Sequence, residues 1–377
     1  MSISVERLRI WLLAGAGLLV MVVVSFLGYA HYRAHRFLTN LPKKLGVDIR
    51  RETNNVTYSQ SVEGRTIYTI HAATAVEHAD GKMTLHDVVA PAKPEKPGFP
   101  VEVHAGDFAV AGAAEKLIAG RPDVIFHLAA IVSGEAELDF DKGYRINLDG
   151  TRMLLDAVRL VGGGYKPRVV FTSSIAVFGA PYPEKIGDEF FNTPLLSYGT
   201  QKAIGELLLA DYSRKGFMDG IGIRLPTICI RPGAPNKAAS GFFSNILREP
   251  LAGKEAVLPV SEDVRHWHAT PRSAVGFLLH AATMDLAAAG PRRNLSMPGL
   301  SATVGEQIAA LKRVAGDKVA ARIKREPDPF IMGIVDGWPR NFEAKRARQL
   351  GFTTAENTFD DIIRIHVEDE LGGKFVE

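Results

Sequence analysis

The sequence predicts an α/β fold built on a doubly wound parallel sheet. Three observations carry that expectation. From Val101 onward, short apolar runs alternate with longer amphipathic stretches, the pattern of strands joined by crossover helices. Several of those runs end in loops that carry the polar residues, the edge at which such sheets bind ligands. Tyr198-Gly-Thr-Gln-Lys202 opens one of the helices, and Thr172-Ser-Ser174 closes the strand before it.

The bulk numbers suit an enzyme-sized globular protein. The chain has 377 residues, 46% hydrophobic and 23% charged, enough for a large core. A net charge of +3, with no basic block interleaved with aromatics, argues against nucleic acid as a partner. Cys229 is the only cysteine, so neither an intrachain disulfide nor a thiolate metal cluster is available. In the run Pro226-Thr-Ile-Cys-Ile230 it reads as a small buried side chain.

Before Val101 the style differs. Ile10 to Ala30 is uncharged and almost wholly apolar. At ~1.5 Å per residue it spans a ~30 Å hydrocarbon core. Arg7 and Arg9 flank it on one side, Arg33 and Arg36 on the other, so charge does not fix its orientation. No small-x-small cleavage site follows in His31-Tyr-Arg-Ala-His-Arg36. Residues 1–36 are expected to be an uncleaved, single-pass inner-membrane anchor, with the side of the membrane for the remainder left open. Val56-Thr-Tyr-Ser-Gln60 and Thr66-Ile-Tyr-Thr-Ile70 alternate with period two, and Glu63-Gly64 and Asp80-Gly81 are turn signals. The stretch up to Val89 is expected to be a few antiparallel strands, and Pro91 to Gly98 a linker.

The α/β elements follow in order. Val101–His104, Asp123–His127, Arg168–Thr172 and Gly220–Leu225 read as strands. Ala111–Ala119, Gly143–Leu160 and Tyr198–Ser213 read as the helices among them. From Gly233 the pattern becomes irregular and richer in Pro and Gly, which suits a small C-terminal substrate-capping region, over about 233–265 and 290–377, with helices at Val304–Val314 and Asn341–Leu350.

The Tyr198/Lys202 pair with the two serines is a set of parts for proton and hydride transfer. A tyrosine acts as a base on a hydroxyl only if its pKa falls below the free value of about 10. A lysine four residues on shares its helical face and supplies positive charge to lower it. A serine at a strand end can bond the same oxygen. On its own the pair also fits an ordinary helix surface. Its neighbours decide otherwise: Phe126-His-Leu-Ala-Ala130, Asn147-Leu-Asp-Gly-Thr151, Val170-Phe-Thr-Ser-Ser174, Val177-Phe-Gly179 and Arg224-Leu-Pro-Thr-Ile-Cys-Ile-Arg-Pro-Gly233 occur in a fixed order around it.

From about Met83 to the C-terminus these strings resemble the extended short-chain dehydrogenase/reductase family, which has a Rossmann-type fold and includes sugar-nucleotide epimerases and dehydratases. Leu85-His-Asp-Val-Val-Ala-Pro91, Ile131-Val-Ser-Gly-Glu-Ala136 and Ser240-Gly-Phe-Phe-Ser244 resemble a branch of it that oxidises a four-carbon sugar acid with NAD. The resemblance implies that Ser174 and Tyr198 contact the reacting oxygen, with Tyr198 the base. It implies that Lys202 tunes Tyr198 and bonds the nicotinamide ribose, and that Asn147 supports the site from its helix. Ser173 is the alternative serine, more suited to the backbone turn or the cofactor.

Asp87 falls where the family reads the adenosine ribose; a carboxylate there favours NAD over NADP, although a plain turn aspartate fits as well. Asp107 matches an adenine contact, and Leu128, Ala129 and Ala130 match the loop along the cofactor. Ser133, Ser174, Ser240 and Arg265 are the substrate candidates, an arginine being suited to bind a sugar-acid carboxylate bidentately. His266 and His268 have metal-like spacing but no carboxylate or cysteine partner, and are read as ordinary loop histidines, with no metal expected. Members of the family often pair through the helix carrying Tyr198, so a homodimer is an open expectation.

The chain departs from the family upstream. The family's first strand, Gly-x-x-Gly-x-x-Gly turn and pyrophosphate-binding helix have no counterpart before Asp87. His71-Ala-Ala-Thr-Ala-Val-Glu-His78 follows the one strand-like run and contains no glycine. The expected sheet therefore lacks its usual first βα unit. Residues 1–88, through Leu45-Gly-Val-Asp-Ile49, Thr57-Tyr-Ser-Gln-Ser61 and Gly64-Arg-Thr-Ile-Tyr-Thr-Ile-His-Ala72, resemble instead the N-terminus of LptC, a family of membrane-anchored periplasmic β-jellyroll proteins of lipopolysaccharide export. Two readings follow: a sugar-acid dehydrogenase, or a membrane-anchored export component or fusion whose dehydrogenase part is inactive.

Overall fold

The computed structural model describes residues 49–62 and 65–78 as backbone, and residues 83–89, 100–233 and 239–377 in full. The anchor expected over residues 1–36 and the linker Pro91–Gly98 lie outside the described residues. Among the described residues no helix is long and apolar enough to cross a membrane. The strands expected near residues 56 and 66 are present as β1 (Ile49–Val62) and β2 (Arg65–His78), hydrogen-bonded to each other in a two-stranded sheet.

β3 (Met83–Asp87) corrects the antiparallel expectation for the residues up to Val89. It pairs in parallel with β4 (Val101–Ala105), in register from Met83 opposite Val101 to Asp87 opposite Ala105. The physical reason is the long connection after Asp87, since parallel neighbours need a crossover and cannot be joined by a tight hairpin.

The main sheet is parallel throughout. Its order is β11 (Asn294–Ser296), β7 (Asp219–Leu225), β6 (Arg168–Ser174), β5 (Val124–His127). Side chains alternate across β6 as the pleat requires. Val169 and Phe171 pack under α1 (Ala113–Ile118), α3 (Thr151–Val161) and α4 (Ser197–Arg214), with Leu155, Val158 and Leu209. Val170 faces the opposite layer with Ile221 and Ile223 of β7 and Phe277 of α6 (Pro271–Thr283). Helices on both faces of a parallel sheet make the fold the expected doubly wound one, and β3–β4 and β5 belong to separate sheets.

The helix expected over Gly143–Leu160 is present but is not regular. Tyr144–Gly150 winds as a π-helix before α3 begins, after the short α2 (Ser133–Leu138) and a turn at Phe140–Gly143. Such wider turns recur at functional sites, and this one carries Asn147. Val304–Val314 is borne out as α7 (Val304–Ala315), held by a reciprocal Thr303/Glu306 capping box. The helix expected over Asn341–Leu350 shrinks to Lys345–Gln349, because Phe342 is drawn into a bridge with Ile186.

The C-terminal part has its own core. Phe243, Ile246 and Leu247 of α5 (Gly241–Leu251), Ile308 and Leu311 of α7, and Ile362 and Ile363 of α9 (Phe359–Leu371) share one apolar cluster, with α8 (Pro329–Asp336) against it through Val335. The mixed sheet β12 (Leu300–Thr303), β10 (Arg265–Ala269), β8 (Thr227–Ile228) borders it, as does the parallel pair β13 (Ile323–Arg325) and β9 (Ala256–Leu258).

Candidate active site

The site is assembled where β6 ends and α4 begins. Ser174 is the last residue of β6, and its hydroxyl accepts from the Ala176 N–H at 3.1 Å, capping the tight turn Ile175–Val177. The first turn of α4 lies directly on that turn: a Cβ on Gly199 would collide with the Ala176 carbonyl oxygen, so only glycine permits the approach. Glu137 of α2 accepts from the Ser197 N–H at 2.8 Å and places negative charge at the helix N-terminus. Ser174 is hydrogen-bonded to the Tyr198 hydroxyl.

The electrostatics of the pair are set largely by burial. Burial pushes the Tyr198 phenol up to about 12, while the Ser174 hydrogen bond and then the Arg231 charge pull against it. Lys202 Nζ donates to the Thr172 carbonyl oxygen at 2.7 Å and sits 4.8 Å from the Phe171 ring centroid and 5.8 Å from that of Tyr198. Burial brings the Lys202 ammonium down to about 8, with Glu206 raising it in opposition. Lys202 is thus a cation at neutral pH, anchored to the end of β6.

Asn147 is buried on the π-helix. Its side-chain oxygen accepts from the Ile131 N–H at 2.9 Å, and its amide donates to the Ile131 carbonyl at 3.1 Å and to Gln201 Oε1 at 2.8 Å. It therefore pins the loop after β5 to the helix turn that lies between Tyr198 and Lys202. Ser173 turns away from the reacting oxygen: its hydroxyl donates to Glu206 Oε1 at 2.6 Å. The alternative role for Ser173 at a backbone turn or cofactor is corrected to this buried carboxylate, because successive β-strand side chains point to opposite faces.

The remaining expected residues divide into two groups. Asp87 and Asp107 stand at the C-terminal ends of β3 and β4, and both act electrostatically on His86. Asp107 is itself bound, by Arg145 Nη1 at 2.6 Å and the Ala109 N–H at 2.9 Å. Leu128, Ala129 and Ala130 form the open edge after β5, Leu128 being 51% exposed, and Ser133 starts α2. On the capping side, Ser240 accepts from Arg231 Nη2 at 3.1 Å. Arg265 lies on β10, bonded to the Ser301 carbonyl at 3.2 Å and to Glu306. His266 and His268 are strand residues of β10, not loop residues, because β10 pairs with β12 there. His266 is bonded to Thr227 Oγ1 and the Pro339 carbonyl, and His268 to Gln307. Cys229 is buried, with its thiol pushed up to about 12.

Two residues were missed at the sequence level. Glu206 follows Lys202 by one helical turn, a spacing that was available to be read. Arg231 stands in the string quoted from Arg224 to Gly233, but nothing in its local pattern marks it.

A Tyr/Lys/Ser set at the C-terminal edge of a doubly wound parallel sheet defines a class of nicotinamide-dependent oxidoreductases, and comparison with known proteins agrees. Residues 59–270 match the NAD dependent epimerase/dehydratase family, and the chain belongs to that family. It is 46% identical over 288 residues to D-erythronate dehydrogenase of Cupriavidus necator, covering 76% of this chain and 87% of that one. It is also 46% identical to D-erythronate dehydrogenase of Haemophilus influenzae, over 68% of this chain and 81% of the relative. A solved nucleoside-diphosphate-sugar epimerase of Agrobacterium tumefaciens superimposes with a TM-score of 0.75 at 70% identity, covering 78% of this chain and 86% of that one.

The described residues fit NAD at its two ends. Tyr198 and Lys202 would hold the nicotinamide end, the exposed Leu128–Ala130 edge would lie along the cofactor, and Asp87 and Asp107, which both act electrostatically on His86, would meet the adenosine end. No Gly-x-x-Gly-x-x-Gly turn precedes Asp87 in the sequence.

Proposed function

We propose that the chain is an NAD-dependent dehydrogenase that oxidises a hydroxyl of a small sugar acid such as D-erythronate. The observation that carries this reading is the convergence of Ser174 and Tyr198 on one point, with the Lys202 cation fixed one turn along α4. NAD, when bound, takes the hydride from the substrate carbon. The chain's own part is to hold the substrate hydroxyl between the Ser174 and Tyr198 oxygens and to receive its proton on the Tyr198 phenolate, leaving a carbonyl product. The proton must first leave Tyr198. The Arg231 charge and the Ser174 hydrogen bond favour the phenolate against the burial that opposes it.

The test is reduction of NAD by purified full chain with D-erythronate, with NADP as the control for the Asp87 selectivity. Tyr198→Phe is expected to cut turnover by about a hundredfold or more, the usual contribution of a general base, with the melting temperature retained. Unchanged turnover in that variant would sink the mechanism.

The tether over residues 10–30 belongs to the same proposal. It rests on an uncharged apolar stretch bounded by arginines. Recovery of the chain in the carbonate-washed inner-membrane fraction is expected, and a wholly soluble chain overturns it. Pairing of two copies through α3 and α4, which leave Leu160 and Leu207 exposed, is tested by sedimentation.

A further inference from the structure

We infer that Arg231, supported by Ser240, is the receptor for the carboxylate of the substrate, and that this residue rather than Arg265 makes the site select an acid. The inference rests on the dehydrogenase reading above and goes beyond it by assigning the group that recognises the anion.

Among the described residues, the arginines of β7, α5 and β10 have carboxylate partners. Arg224 pairs with Glu206, Arg248 with Glu249, and Arg265 with Glu306. Arg231 has none; its guanidinium donates to the neutral Ser240 hydroxyl at 3.1 Å. It is half-buried, and Arg248 adds a like charge nearby. A guanidinium does not escape this by losing its proton. A desolvated cation without a partner is costly, and an arriving anion removes that cost.

The backbone of Arg231 is fixed on both sides: its N–H donates to Ser244 Oγ at 3.0 Å, and its carbonyl accepts from Arg248 Nη1 at 2.9 Å. Both partners lie on α5, so the capping region sets the position of the guanidinium. Tyr198 and Arg231 are close enough to shift each other's ionisation. A carboxylate held by the planar fork on the capping side would then sit within electrostatic range of Tyr198, as a short-chain hydroxy acid requires. Arg265 does not meet the condition of an unpartnered cation, since Glu306 and Ser301 already occupy it.

The experiment is equilibrium binding of D-erythronate, and of its uncharged carboxamide, to full chain with NAD present, paired with steady-state kinetics. Arg231→Met is expected to weaken erythronate binding and raise KM by about tenfold to a hundredfold, the value of a charge-assisted hydrogen bond. Binding of the carboxamide and of NAD is expected to stay at the wild-type level. Arg231→Lys keeps the charge and most of the stem, and is expected to recover part of the loss; this separates recognition from a folding defect. Arg265→Met is expected to leave the acid-over-amide preference in place.

Equal weakening of acid and amide in Arg231→Met, or none, overturns the inference. Turnover of D-erythronate without dependence on Arg231 does so while leaving the dehydrogenase reading intact. Arg231-dependent binding of erythronate with no turnover of any sugar acid sinks that reading and keeps this one. Failure of the wild-type chain to bind erythronate at all overturns this inference.

Discussion

Lys202 shows what the active site costs the fold at the level of one residue. Its ammonium is nearly fully buried, and burial lowers its pKa from 10.5 to about 8. The folded state therefore favours the neutral amine. Below pH 8 both folded and unfolded chains hold the proton, and the penalty for burying the charge is fully present. As pH rises from 8 towards 10.5 the unfolded chain holds more protons than the folded one, so stability rises through that window. Lys202→Met removes the buried charge and is expected to stabilise the protein at pH 7 by up to about 3 kcal/mol, while abolishing turnover. Thermal denaturation at pH 7 and pH 10 checks this; a melting temperature lowered at both counts against it. The residues of this cluster were readable because helix periodicity places Tyr198 and Lys202 on one face, and because Ser174 ends an apolar run. Arg231 was not readable. Its proximity to Tyr198 is produced by α5, which lies later in the chain and belongs to the capping core.

Among elements, α4 depends on one buried charge group. The Glu206 carboxylate, 2% exposed, accepts from Arg224 Nε at 2.8 Å and Nη2 at 2.7 Å, from Ser173 Oγ at 2.6 Å, and from Asn192 at 3.0 Å. It ties α4 to the ends of both β6 and β7, and so holds the helix that presents Tyr198. Glu206→Ala leaves the Arg224 guanidinium buried and unpaired, which is expected to destabilise the protein by about 3–5 kcal/mol. The double variant Glu206→Ala/Arg224→Met is expected to recover much of that, since it removes the stranded charge. Urea denaturation of the three variants decides between them, and equal loss in the single and double variants would defeat the argument. This network explains why element boundaries were easier to read than element geometry. The period of apolar residues placed α4 and α7 to within a residue or two. It carried no sign of the π-helix at Tyr144–Gly150, whose side chains keep an ordinary helical pattern while Asn147 is drawn to Ile131 and Gln201.

The whole molecule carries the mark of its missing glycine turn. In a doubly wound sheet the first strand of the family is central, yet here β3–β4 and β5-β6-β7-β11 are separate sheets. That interruption was foreseeable from the absence of a Gly-x-x-Gly-x-x-Gly turn between Thr66 and Asp87, a backbone requirement that sequence shows directly. Its consequence for packing is visible at β5. Parallel strands of α/β proteins are normally buried on both faces, but Val124 and Phe126 are each 39% exposed. β5 is bonded to β6 alone, so on its other side the backbone N–H and C=O groups have no sheet partner among the described residues. β4 stays beside this body through Phe108, whose ring meets His127 edge-on at 5.5 Å. An edge strand with a solvated side exchanges its amides through local opening, whereas β6, flanked by β5 and β7, opens only with the domain. Hydrogen exchange on the full chain is therefore expected to show β5 amides exchanging much faster than those of Val169 to Thr172. If β5 is instead protected as strongly as β6, another strand of the chain covers that edge and the sheet is continuous after all.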